Sequence, residues 1–143
     1  KEDGFRISGS NNEVHFNVVR NHKDVGIIVS GSNHNISNNM IENNGIGVYL
    51  ENTWQTMITS NNFIDNDGYF LYDFKGHLTL HNTWNSNYWD SLKGETKIII
   101  GNLKIHIFSF IWLYETYEIA LYPTGFNFDW HPAQEPYDIP GMR

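Results

Sequence analysis

Seven histidines, sixteen acidic residues and a dense aromatic run are the groups in this 143-residue chain that could do chemistry. His77 and His81 are four apart in a stretch that reads as a strand. They share a face there, but stand about 13 Å apart by strand rise, too far to chelate one metal unless the chain bends. His15 approaches His34 only if neighbouring repeats stack in a particular register. Glu42 and Asp65 are expected to stack one repeat apart on an outer surface with Arg20 above them, as a solvated row or a weak cation site. Cysteine is absent, which removes thiolate metal sites, Cys nucleophiles and disulfides. The densest polar and aromatic segment is Phe126-Asn127-Phe128-Asp129-Trp130-His131-Pro132. Exposed Trp and Tyr faces can stack on sugar rings, whereas buried ones fill a core. Trp89, Asp129, Trp130 and His131 are therefore the candidate glycan contacts. No residue is assigned to catalysis, to a metal or to a cofactor.

The elements that position these groups follow from an internal repeat. Gly4, Gly26, Gly47 and Gly68 each precede an alternating apolar segment: Phe5-Arg6-Ile7, Ile27-Ile28-Val29, Val48-Tyr49-Leu50 and Tyr69-Phe70-Leu71. Alternation with period two reads as strand. The copies place Phe5, Ile27, Val48 and Tyr69 in one column and Ile7, Val29, Leu50 and Leu71 in another. Val14, Ile36, Ile58 and Leu78 supply a third, and Val19, Ile41, Ile64 and Trp84 a fourth. A helical solenoid is rejected, because apolar positions do not follow helical spacing and Asn and Gly punctuate each ten residues or so. About 21 residues per turn suits three short strands with tight bends. The expected fold is an all-β, right-handed parallel β-helix of about four coils, each advancing roughly 4.8 Å.

Of 19 Asn residues, 17 precede position 88. A tight bend leaves backbone groups without ladder partners, and an inward Asn amide can satisfy them while bonding to the Asn of the next coil. Asn17, Asn39, Asn62 and Asn82 are the expected structural column; Asn21, Asn43 and Asn66 form a weaker one. The chain then divides at about residue 90. Residues 1–90 form the coils. Residues 91–143 form an aromatic-rich C-terminal cap over the apolar cross-section. Within this part, 98–100 and 103–107 read as strands, and 123–143, which holds all four prolines, reads as an irregular packed tail. Only Lys1-Glu2-Asp3 precedes the first coil. That end is expected to continue into upstream coils of a longer β-helix or to receive another chain stacked end to end.

Net charge is −7, with no basic footprint, so nucleic acid is not an expected partner. The longest apolar stretch, Ile105 to Tyr114, is too short to span a bilayer. Asn35-Ile36-Ser37 matches a glycosylation sequon but falls inside the repeat. Thr residues form no columns, which sets ice binding aside.

The Gly-apolar strands and the Asn-Asn-apolar-Ile-acid-Asn segments resemble the pectin-lyase-like parallel β-helix superfamily, and more narrowly its NosD-type repeats. Asn82-Thr83-Trp84-Asn85-Ser86-Asn87-Tyr88-Trp89-Asp90 is similar to the Asn-Tyr-Trp-acid segment that often ends such helices. Glu135-Pro136-Tyr137-Asp138-Ile139 resembles the Pro-Tyr-x-Ile that follows. In the family a short Asp/Gly-rich, calcium-like loop commonly lies between them. Residues 91–134 replace it here without an Asp-x-Asp-Gly run, so calcium is not carried over. The copper-delivery role linked with NosD is not carried over either, and a NosD-like periplasmic metal-accessory protein is kept as an alternative. Polysaccharide hydrolases of this fold use clustered Asp beside Gly-His-Gly, whereas this chain has only Gly76-His77. Lyases need a base beside a carboxylate cluster, and Arg6, Arg20, Lys23 and Lys75 share no column. Fold alone does not imply activity. The resemblance implies an extracellular, cell-surface or periplasmic module that acts as scaffold or binds a polysaccharide or cell-surface glycan. The alternative is a fragment of a polysaccharide-active enzyme whose site lies on upstream coils.

Overall fold

The computed structural model describes residues 3–67, 72–73, 82–91, 96–108 and 116–141. Tyr69, Leu71, Lys75, Gly76, His77, Leu78 and His81 lie outside these residues. The first turn contributes β1 (Phe5–Ile7), β2 (Glu13–His15) and β3 (Val18–Arg20); the second β4 (Val25–Ser32), β5 (Asn35–Ser37) and β6 (Met40–Glu42). The third contributes β7 (Ile46–Trp54), β8 (Met57–Thr59) and β9 (Asn62–Ile64). After these about three regular turns, β10 (Tyr72–Asp73), β11 (Thr83–Asn85) and β12 (Tyr88–Trp89) add one further rung to each sheet. Like strands stack in parallel into three sheets, ordered β1-β4-β7-β10, β11-β8-β5-β2 and β12-β9-β6-β3. The protein is thus an all-β parallel solenoid.

Each three-residue strand of the second and third sheets buries its middle residue, and the buried residues of successive rungs align. Phe5, Ile27 and Val48 form one column, and Ile7, Val29 and Leu50 another, as the repeat predicts. In the fourth copy Tyr72, not Leu71, sits beneath Leu50, because that turn is one residue longer than the spacing suggests. The other two columns also need correction at their C-terminal ends. Val14, Ile36 and Ile58 are followed by Trp84, not Leu78. Val19 and Ile41 are followed by Phe63 and Trp89, not Ile64 and Trp84. The one-residue offset at Ile64 would turn it outward, since strand side chains alternate between faces. The true columns read Val, Ile, Ile, Trp and Val, Ile, Phe, Trp, so side-chain volume grows toward the C-terminal end. Phe63 stacks on Trp89 at 4.3 Å between ring centroids, and Trp84 packs obliquely against both.

The bends follow one rule. A residue in the left-handed region is followed by one that turns its side chain inward. Asn11, Asn33 and Gln55 make the first bend, Phe16, Asn38, Ser60 and Ser86 the second, and Asn21, Asn43 and Asp65 the third, all with φ between 48° and 63°. Asn tolerates this region better than most residues, which explains much of its abundance. Gly31 marks the closest approach between rungs: with φ of 108°, a Cβ there would lie 1.8 Å from the Gly9 carbonyl oxygen.

The inward residues form hydrogen-bonded ladders. At the second bend, Asn17 donates its backbone N–H and Nδ2 to Asn39 Oδ1; Asn39 does the same to Asn61, and Asn61 to Asn87. The Nδ2 groups of Asn39, Asn61 and Asn87 also donate to the carbonyls of Val14, Ile36 and Ile58. The column inferred from sequence shares Asn17 and Asn39 with this ladder. Asn62 and Asn82 stand elsewhere: Asn62 begins β9, and Asn82 belongs to the first-bend column of Asn12, His34 and Thr56. Adjacent Asn residues make either choice look alike in sequence, and only the strand register separates them. The third-bend ladder likewise runs through Asn44 and Asn66, with Asn21 and Asn43 on its outer side.

The remaining strands form an antiparallel pair, β13 (Lys97–Phe108) and β14 (Thr116–Asp129). β14 returns to the solenoid and pairs in parallel with β11 at Trp84 and Asp129, which extends the second sheet to the order β13-β14-β11-β8-β5-β2. The expected strands at 98–100 and 103–107 fall within β13. The irregular tail expected from residue 123 begins later, because β14 runs through Pro123 to Asp129. Pro123 falls where the register with β13 shifts, between the Gly101–Gly125 and Leu103–Leu121 pairs, a position where no ladder N–H is required.

Asn39 is fully buried and bonded on both sides, so Asn39→Ala leaves ladder groups unpaired. It is expected to lower unfolding free energy by about 1–3 kcal/mol in urea titrations. Asn62→Ala, in contrast, leaves the ladder intact and loosens only the C-terminal segment.

Candidate functional site

The polar groups of the molecule converge at its C-terminal rung. β11 ends with Asn85, Ser86 turns the chain in the left-handed region, and Asn87 points inward as the last amide of its ladder. The inward strand position below Trp84 is Asp129. Its side chain is fully buried, and it receives the ladder. Oδ2 accepts from Asn87 N at 2.9 Å, Asn87 Nδ2 at 3.0 Å and Trp89 Nε1 at 3.2 Å. Oδ1 accepts from Ser86 N at 3.1 Å and His131 N at 3.3 Å. An anion buried without partners is strongly disfavoured; five N–H donors make this one tenable. Every amide above it donates downward, so an acceptor-only group is the chemically matched end of the ladder.

The chain after Asp129 rejoins the solenoid. Ala133 N donates to Asn87 O, and Ala133 forms a parallel bridge with Tyr88, extending the third sheet. Asn62 and Tyr137 exchange two bonds, Nδ2 to Tyr137 O and Tyr137 N to Oδ1, both 2.9 Å, while Tyr137 Oη donates to Ser86 O. Ile139 is buried beyond them. The two segments that carry the family resemblance, 82–90 and 135–139, therefore meet in space, with β13 and β14 inserted between them. Lys97 lies over the Trp89 ring at 5.3 Å and bonds Ser91 Oγ. Burial lowers its ammonium pKa below the usual lysine value, and the Asp90 carboxylate offsets part of that shift.

Of the four expected glycan contacts, two face the interior. Trp89 and Asp129 are buried, at 2% and 0% exposure, and serve the core and the ladder. Trp130 and His131 are exposed, and the Trp130 ring stacks on Phe128 at 4.7 Å. Phe128, not singled out as a contact from sequence, is the partner that fixes this ring. Period-two alternation about buried Asp129 could have found it. Trp130 follows Asp129 as Asn85 follows Trp84, so it ends the outward row His15, Ser37, Thr59 and Asn85 of the second sheet.

The remaining candidates stay apart. His15 pairs in register with Ser37, while His34 is buried with its ring bonded to Asn12 and Ser30. Arg20 does stand above Glu42, but Glu42 stands above Ile64, so Asp65 leaves the row. Among the described residues, no three His, Cys, Asp or Glu side chains come together as a metal-binding group. No helix of the described structure is long and apolar enough to cross a membrane.

A protein-family model described as "Periplasmic copper-binding protein (NosD)" matches residues 1–105. No curated protein and no solved structure gives a significant match.

Asp129→Ala leaves several buried donors unpaired and is expected to cost at least about 3 kcal/mol in urea unfolding followed by tryptophan fluorescence. Asp129→Asn keeps one acceptor oxygen but turns an NH2 toward N–H donors, so it falls between the two. Lys97 predicts the pH dependence. The unfolded chain holds this proton more tightly than the folded one, so stability rises with pH through the window just below 10.5. Lys97→Met is expected to flatten that slope.

Proposed function

The chain belongs to the NosD family, and from that premise we propose a non-catalytic β-helix module of the periplasm or cell surface that binds glycan on the outer face of its second sheet. Residues 91–143 act as its C-terminal cap. The observation that carries this reading is the Phe128–Trp130 pair. Trp130 is 60% exposed, yet its ring is held by stacking, which is the arrangement a sugar ring uses. A pre-ordered aromatic face loses little entropy on binding. Beside it, Ser37, Thr59 and Asn85 offer hydroxyl and amide groups at successive rungs, about 4.8 Å apart. Catalysis is not part of the proposal, since no carboxylate pair faces this surface among its described rows.

The family description names copper. Among the described residues no set of side chains fits a copper centre: His34 is engaged inside the core, and His15 and Met57 stand on different rows; the sequence has no thiol.

The test is a thermal-melting series with neutral and acidic oligosaccharides, Ca²⁺ and Cu²⁺. A ligand that binds only the folded state adds about 2.7 kcal/mol at a hundred times its dissociation constant. A shift with one sugar class, abolished by Trp130→Ala, is the expected result. A shift with Cu²⁺ and none with any sugar would replace this reading with a metal-accessory role.

A further inference from the structure

Away from the second sheet, the third bend forms an open polar groove of about 330 Å³. Its floor is Gly45. A Cβ at this position would lie 2.3 Å from the Lys23 carbonyl oxygen and 2.7 Å from that of Asp24, so no side chain is accommodated there without a backbone shift. Lys23, Gly45 and Asp67 occupy equivalent places on three successive rungs, as the bonds from Gly45 N to His22 O and from Asp67 N to Asn44 O show. Lys23 and Asp67 are therefore two rungs apart, about 10 Å by strand spacing. Their side chains form no ion pair or hydrogen bond among the described residues.

The outer amides give this groove a direction. Asn43 Nδ2 donates to Asn21 Oδ1 at 2.7 Å, which assigns both carboxamides. Asn21 keeps its Nδ2 donors and Asn43 keeps its Oδ1 acceptor. Donors, the Lys23 ammonium and the Asn21 amide, gather at the first-turn end. Acceptors follow further along the stack, Asn43 Oδ1 on the second turn and the Asp67 carboxylate on the third. A bare cation is repelled by Lys23 and a bare anion by Asp67. The complementary ligand carries its negative end toward the first turn and its positive end toward the third, with amide groups between.

We propose that this groove binds a short zwitterionic peptide of two or three residues, its carboxylate on Lys23 and its ammonium on Asp67. An extended peptide of that length spans about 7–10 Å, which matches the separation of the two charges. A free α-amino acid is too short to reach both. The site is independent of the glycan surface, which lies on another sheet.

Isothermal titration of the full chain with trialanine tests the assignment, using N-acetyl-trialanine amide as the uncharged control. Saturable heat with trialanine alone is expected, with Lys23→Ala and Asp67→Asn each weakening binding about fivefold. Both side chains are exposed, so melting curves should match the parent chain. Trp130→Ala should leave the heat unchanged, which separates this site from the glycan reading. Absence of heat, equal binding of the blocked peptide, or unchanged affinity in both variants would each overturn it.

Discussion

The fold depends on a buried row of amides that ends in a buried carboxylate. A parallel solenoid of short strands must turn sharply three times per coil, and each turn strands backbone groups that no strand ladder can reach. Asn39, Asn61 and Asn87 solve this in the same way at each rung. Each accepts two bonds from the coil above and donates to that coil's backbone and to the rung below. Such a row is directional, since every rung asks its successor for an acceptor. Asp129 meets that demand without adding a donor that would need a further partner. In a low-dielectric interior a fully satisfied row is stabilising, and one missing member is costly.

The same rung closes the apolar column. Core side chains enlarge from Val14 and Val19 to Trp84 and Trp89, so the last full rung is sealed by two indoles with Phe63 stacked on Trp89 from the rung above. Trp89 Nε1 donates to the carboxylate that ends the amide row, so the polar and apolar closures share one residue. This explains how an antiparallel pair as long as β13 and β14 can be inserted there. The chain leaves after Trp89 and returns at Asp129, and the rung is completed by residues that are distant in sequence. Asn62 and Tyr137 then fasten the returning segment to the third turn.

This arrangement also separates structural chemistry from binding chemistry. Residues that look reactive in the sequence, His34, Asp129 and Trp89, are spent on the interior, where each has defined partners. The groups proposed to meet a ligand lie outside: the Phe128–Trp130 pair with its polar rows, and the charged groove of the third bend. A regular solenoid repeats its surface every rung, so distinctive sites arise where the repeat is broken. The insertion breaks it at Trp130. Gly45, placed between Lys23 and Asp67, breaks it at the third bend.

By itself the sequence determined the architecture. Period-two alternation, glycines every 21 or 22 residues and Asn at each bend allow a parallel stack and little else, because each copy buries its apolar middle only against the next. The motifs at 82–90 and 135–139 are likewise legible in the sequence, though not that Tyr137 bonds Ser86. The exact columns were not legible. In pairs such as Asn61-Asn62 and Phe63-Ile64, both residues are chemically suited to the interior, and a one-residue slip exchanges them. Only strand pairing decides, and it chose Asn61 and Phe63. Nor could the sequence separate Asp129 from Trp130. Adjacent residues on a strand face opposite ways, so one became the buried end of the amide row and the other an exposed ring. That choice was made by the parallel pairing of β14 with β11, a contact across 45 residues that no local pattern encodes.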